Sequence, residues 1–170
     1  MSKTPYPKQL TLSNFLGTFG NVYELSPWVA EEVYSLLKPG IETRVMASLM
    51  ESVVNDSPDQ DKLKLLRLHP DLASRLGVVD LTESSQLEQA GAGLDQCTSR
   101  ELQEFQELNA TYIDKFGFPF IFAVKGFQRT DILEAFRARI KHDCPTEFKT
   151  AIAQVHRIAR LRLETIANEI

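Results

Sequence analysis

The sequence predicts an all-α fold: a single-domain helical bundle over residues 1–170, crossed by one short extended hydrophobic segment at about 118–124. Three observations carry this expectation. Apolar residues recur at steps of three and four along most of the chain, which is the spacing of one helix face. Ser, Thr or Asp precedes these runs, and Pro or Gly closes them, as helix caps and stops do. Only FGFPFIFAVKG breaks the pattern, because an unbroken apolar run behind Pro119 reads as buried, extended chain and not as an amphipathic helix.

The elements follow in order. Ser13 is placed to cap a short first helix, and Ser26-Pro27 offers a cap with proline at the first helical position. That second helix is expected to reach about Leu37 and to be closed by Pro39-Gly40. Residues 42–54 carry Val45, Leu49 and Val53 at four-residue steps, the mark of a buried face. Asp56-Ser57-Pro58 opens a fourth helix through Leu63 and Leu66. It must stop at His69, since the residue before Pro70 is pushed out of the α region. Asp71 is placed to cap a short turn ended by Gly77. A helix over about 82–90 fades into AGAGLD, and Thr98 or Ser99 caps a long one with Leu102, Phe105, Tyr112 and Phe116 on one stripe. After the extended segment, Thr130 starts a helix to about His142, and Thr146 starts the last.

Composition excludes several function classes. Hydrophobic residues make up 43% and charged residues 25%, ordinary for a soluble globular protein. A net charge of −4 and a pI near 5.4 lack the basic stripe of a nucleic-acid binder. No apolar run approaches the ~20 residues needed to span a bilayer, and MSKTPYPKQL lacks the apolar core of a secretory signal. Cys97 and Cys144 stand far apart and read as free thiols of a reducing compartment, so a cytoplasmic protein is expected.

Three polar features fall where the pattern wants apolar residues. On the last helix Phe148, Ile152, Val155, Ala159 and Ile166 share one face, and Arg162 falls on it, whereas Arg157 and Arg160 project roughly opposite. An inward guanidinium needs an anion, because an unpaired buried charge is costly. Either a structural ion pair or a bound substrate carboxylate would supply it, unless the stem snorkels to water near the helix end. Asn109 lies on the stripe of Phe105 and Tyr112, where its amide either satisfies backbone groups in the core or faces a cavity. Ser85, Glu88 and Gln89 stand at i, i+3 and i+4, forming either a solvated face or a polar wall. Metal binding is not expected, because His69, His142 and His156 include no pair at helical ligand spacing. There is also no glycine-rich phosphate loop and no nucleophile elbow.

Taken together, HPDLA at 69–73, SQLEQAGAGL at 85–94, LNATYIDKFGFPFIFAVKG at 108–126 and RIARLRL at 157–163 resemble the OHCU decarboxylase family, in the family's order and over nearly the whole chain. OHCU is 2-oxo-4-hydroxy-4-carboxy-5-ureidoimidazoline, an intermediate of urate breakdown. The resemblance implies an all-α bundle, a homodimer, and a decarboxylation to S-allantoin that uses no cofactor. It implies His69 as the catalytic imidazole with Glu88 close by. It implies substrate contacts from Pro70, Ser85, Gln89 and Arg162, and from backbone groups of Phe120, Ile121, Phe122, Ala123 and Val124. Nucleic acid and membrane are not expected partners. The competing readings are a related cyclic-ureide lyase or hydrolase, and a non-enzymatic helical interaction domain in which His69 and Arg162 are structural.

Overall fold

The computed structural model describes residues 10–38, 43–72 and 92–169. Among the described residues there are seven α-helices, one 3-10 turn and no strand, in keeping with the all-α expectation. Contacts divide the chain into two compact units, Met1–Leu68 with His156–Ile170, and His69–Val155.

In the first unit, α1 (Leu12–Phe19) and α3 (Thr43–Asp56) both pack against α2 (Trp28–Leu36). Thr11, not Ser13, caps α1, with its hydroxyl accepting the Asn14 N–H at 3.3 Å. Ser26 does not cap α2 through its side chain. Its carbonyl accepts the Val29 N–H at 3.2 Å, while its buried hydroxyl makes no hydrogen bond among the described residues.

The buried row of α3 is Met46, Met50 and Val54. The expected row of Val45, Leu49 and Val53 lies one residue away, and Val45 is 40% exposed. Both rows are apolar and sit about 100° apart on the helix, so spacing alone cannot choose between them. α4 (Asp59–Leu68) begins just after Pro58, as expected, and ends directly before His69-Pro70. The expected stop at Pro39-Gly40, the turn ended by Gly77 and the helix over about 82–90 lie outside the described residues.

In the second unit, a 3-10 turn (Leu94–Gln96) leads to α5 (Ser99–Phe116). Thr98 caps α5 in a capping box: its hydroxyl accepts the Glu101 N–H at 3.2 Å, and Glu101 returns the bond to the Thr98 N–H at 2.8 Å. Phe105, Asn109, Tyr112 and Phe116 form the buried stripe. Gly117 ends the helix at φ 75°, a left-handed conformation that favours glycine. The chain then enters residues 119–124, which are neither helix nor strand, and where Phe120, Ile121, Ala123 and Val124 are buried.

α6 (Arg129–Arg139) packs on α5 and starts one residue before Thr130. α7 (Cys144–Glu169) starts two residues earlier than expected, because Pro145 is tolerated in a first turn and Asp143 accepts the Thr146 N–H at 2.8 Å. Residues of α7 up to Val155 belong to the second unit, and those from His156 to the first.

Candidate active site

His69 is the first residue after α4, at a bend and partly exposed, and Pro70 beside it is buried. The proline therefore does what its covalent geometry demands: it stops the helix at the imidazole. The stretch that follows is tied to α5, since Asn109 Nδ2 donates to Asp71 Oδ2 at 2.7 Å. Asn109 thus serves a side-chain carboxylate and not the backbone groups expected. Its Oδ1 is buried and makes no hydrogen bond among the described residues. The Asp71 carboxylate fixes the orientation of the amide, because a flipped Asn109 would turn oxygen toward oxygen. Ser85, Glu88 and Gln89 lie outside the described residues.

The segment carrying Phe120, Ile121, Phe122, Ala123 and Val124 is fastened through its main chain. Arg139 Nη1 donates to the Ile121 carbonyl at 2.6 Å. The Ala123 N–H donates to Gln154 Oε1 at 2.9 Å, and the Val124 carbonyl accepts the Phe127 N–H at 3.0 Å. Side chains hold it as well. The Phe120 ring stacks on Phe136, with centroids 3.8 Å apart, and the Arg139 guanidinium lies over Phe120 at 4.5 Å. Among the described residues, nothing hydrogen-bonds the Phe122 main chain, and its side chain is only half-buried.

Behind this segment is a buried ionic network that the sequence reading passed over. Arg139 Nε donates at 2.9 Å to Glu147 Oε1, with both side chains inside the protein. The Tyr112 hydroxyl donates to the same oxygen. His142 Nδ1 lies 2.8 Å from the other, Oε2, which accepts its N–H. Desolvation, and then the bond to Glu147, push the Tyr112 phenol well above its ordinary range. The sequence did hold the signal. Arg139 continues the row of Ile132 and Phe136, and Glu147 continues that of Ala151 and Val155, so each is a charge on an apolar stripe, as Arg162 is.

In the first unit, Arg162 is 8% exposed, while Arg157 and Arg160 are exposed, so the helical phase read from the sequence holds. Arg162 Nη2 donates to Glu24 Oε2 at 2.9 Å, and Nη1 to the Asn21 carbonyl at 3.4 Å. Glu24 is fully buried, so the anion that an inward guanidinium requires is present within the protein. Glu24 lies between helices, where periodicity gives no signal. Nearby in the sequence, Tyr23 Oη is 2.7 Å from His156 Nδ1, and His156 Nε2 is 3.1 Å from Asn55 Oδ1. The amide oxygen can only accept, so Nε2 carries the proton and the phenol donates to Nδ1. Burial lowers the His156 pKa, consistent with a neutral ring. Arg160 closes a bidentate pair with Glu51 on the surface.

Neither Cys97 nor Cys144 forms a disulfide. No helix among the described residues is long and apolar enough to cross a membrane.

Residues 8–164 match the family described as OHCU decarboxylase. The chain is 43% identical over 150 residues to a 2-oxo-4-hydroxy-4-carboxy-5-ureidoimidazoline decarboxylase of Haloferax volcanii, covering 88% of this chain and 87% of that protein. It is 44% identical over 158 residues to the protein of that name from Halalkalicoccus jeotgali, covering 93% of this chain and 88% of that one. A crystal structure of (S)-allantoin synthase superposes with a TM-score of 0.74 at 30% identity over 94% of this chain, which spans about half (51%) of that longer chain. With its fold, its family match and these two relatives in agreement, the chain belongs to the OHCU decarboxylase family.

Proposed function

We propose that this protein decarboxylates OHCU to S-allantoin in urate degradation. The observation that carries the reading is the family match across residues 8–164, and the helix stop that sets His69 at a bend beside a buried proline agrees with it.

The substrate's chemistry defines the work. Its departing carboxylate sits beside a ring C=N bond, into which the electrons left behind delocalise, so no thiamine or pyridoxal sink is required. The enzyme must hold the substrate, move protons, and choose the face on which C5 is protonated. His69 is the proposed proton carrier, since an imidazole titrates near neutrality. Glu88 is proposed to fix its tautomer and stabilise the imidazolium.

Pro70, Ser85 and Gln89 are the proposed substrate contacts near His69 in the sequence. Residues 120–124 are proposed to offer main-chain groups to the urea-like portion, and the Phe122 N–H and C=O, unbonded among the described residues, support that role. Arg162 is the proposed partner for the substrate's carboxylate or its ureido carbonyl, with Glu24 holding its guanidinium. A homodimer is proposed on the family resemblance, and a cytoplasmic location on cysteines that form no disulfide.

Circular dichroism of freshly generated OHCU tests the activity. The protein should hasten its conversion to optically active allantoin. A decay no faster than in buffer would refute the reading.

A further inference from the structure

Residues 120–124 have no helix or sheet to hold them in place, yet the proposed function asks their main chain to meet a substrate with the accuracy that binding polar groups demands. Two side chains reach that main chain from behind: Arg139 at the Ile121 carbonyl, 2.6 Å, and Gln154 at the Ala123 N–H, 2.9 Å. Arg139 is itself over-determined. Nε donates to Glu147, Nη1 to the carbonyl, and the guanidinium plane covers Phe120, which is stacked on Phe136. Glu147 is in turn held by Tyr112 and by His142, whose own carbonyl accepts from Lys115 Nζ at 2.7 Å.

A buried ion pair of this kind is weak support for a purely stabilising role, because well-packed apolar side chains of similar volume often do as well or better. What an apolar pair cannot do is grip a main-chain carbonyl in a fixed direction. The planar guanidinium can, because it presents several donors in a rigid fork.

We infer that Arg139, held by Glu147, and Gln154 are positioning residues that fix the main chain of Ile121 and Ala123, so that the neighbouring groups of the segment meet the ureide of the substrate. This inference rests on the decarboxylase reading, and its consequence is kinetic. A loosened segment loses binding shared by ground and transition states, so KM rises while kcat holds.

The test is Arg139→Lys, which keeps a cation beside Glu147 but cannot reach the carboxylate and the Ile121 carbonyl together. Gln154→Leu, which leaves the ion pair untouched, carries the same test if the first variant does not fold. Arg137→Lys is the control, since Arg137 lies on the same helix in an exposed pair with Glu104. Hydrogen exchange across residues 120–124, with the Ala123 amide as reporter, and steady-state kinetics on fresh OHCU are the two readouts. Arg139→Lys and Gln154→Leu should each exchange faster in that segment and raise KM roughly tenfold with kcat within about twofold, while the control matches wild type. Unchanged exchange in both variants would overturn the inference, as would faster exchange with an unchanged KM. Wild-type protein without turnover would sink the decarboxylase reading and this inference with it, whereas active wild type with either of those two results sinks the inference alone.

Discussion

Replacing Arg162 by alanine strips a fully buried carboxylate, Glu24, of the cation that donates to it at 2.9 Å. Removing the cation from a buried pair costs about 3–5 kcal/mol, a large part of the 5–15 kcal/mol by which a typical domain is stable. For a chain of this size each kcal/mol moves the melting temperature by about 2–4 °C, so Arg162→Ala should melt roughly 6–20 °C below wild type. Arg160 is the internal comparison, two residues earlier on the same helix and on its roughly opposite face. Its pair with Glu51 is bidentate but largely exposed on the arginine side, and exposed pairs contribute about 0–1 kcal/mol. Arg160→Ala should therefore melt within a few degrees of wild type.

Thermal melts of the two variants under identical conditions give the comparison. Equal losses, or a larger loss for Arg160→Ala, would refute the energetic argument. Arg162→Lys then separates folding from binding. It keeps a charge for Glu24 but loses the planar fork, so the protein should fold while kcat/KM on OHCU falls roughly a hundredfold, as losing about 2.7 kcal/mol of transition-state stabilisation requires.

Three further outcomes are expected. Burial lowers the His156 pKa below the ordinary 6.5, so the unfolded chain binds the extra proton more readily. Stability is then complete above about pH 6.5 and is lost as pH falls through the lowered folded value, at up to about 1.4 kcal/mol per pH unit. Melting curves at pH 7.5 and 5.5 should show a drop that His156→Gln reduces, and a drop of equal size in that variant would contradict the assignment. Thr98→Ala removes the hydroxyl half of the α5 capping box and should cost about 1 kcal/mol in urea unfolding without changing the m-value; no loss at all would mean that the cap contributes nothing. Because the histidines lack helical ligand spacing, turnover should survive exhaustive EDTA treatment, and loss restored by a divalent ion would overturn that expectation.

What the sequence made legible was set by period and punctuation. The stop at His69-Pro70, the Thr98 cap and the inward phase of Arg162 each rest on one local rule, and each is seen in the structure. The choice between the two apolar rows of α3 depends on which neighbour packs there, and no local rule contains that information. Arg139 and Glu147 were legible in principle, by the reasoning that found Arg162. Recognising them required treating a charge on the stripes of α6 and α7 as inward, where a surface reading comes first. Glu24 has no periodic context, and its pairing with Arg162 spans 138 positions of sequence. Of the expected site, His69, Pro70, the residues at 120–124 and Arg162 are described, and Ser85, Glu88 and Gln89 are not.

The proposal that His69 carries a proton in the stereoselective decarboxylation, as base or as acid, is the one to test first. Asparagine at 69 retains a polar side chain, and α4 has already ended there, so the fold should be kept. It cannot exchange a proton near neutral pH, and general acid–base help is typically worth about 10²–10⁴-fold. The direct measurement is the enantiomeric excess of allantoin formed from fresh OHCU by wild type and by His69→Asn, each shown by its melt to be folded. Wild type should give S-allantoin, and the variant a slow and nearly racemic product dominated by spontaneous decay. A folded His69→Asn that still delivers one enantiomer at near wild-type rate would contradict it.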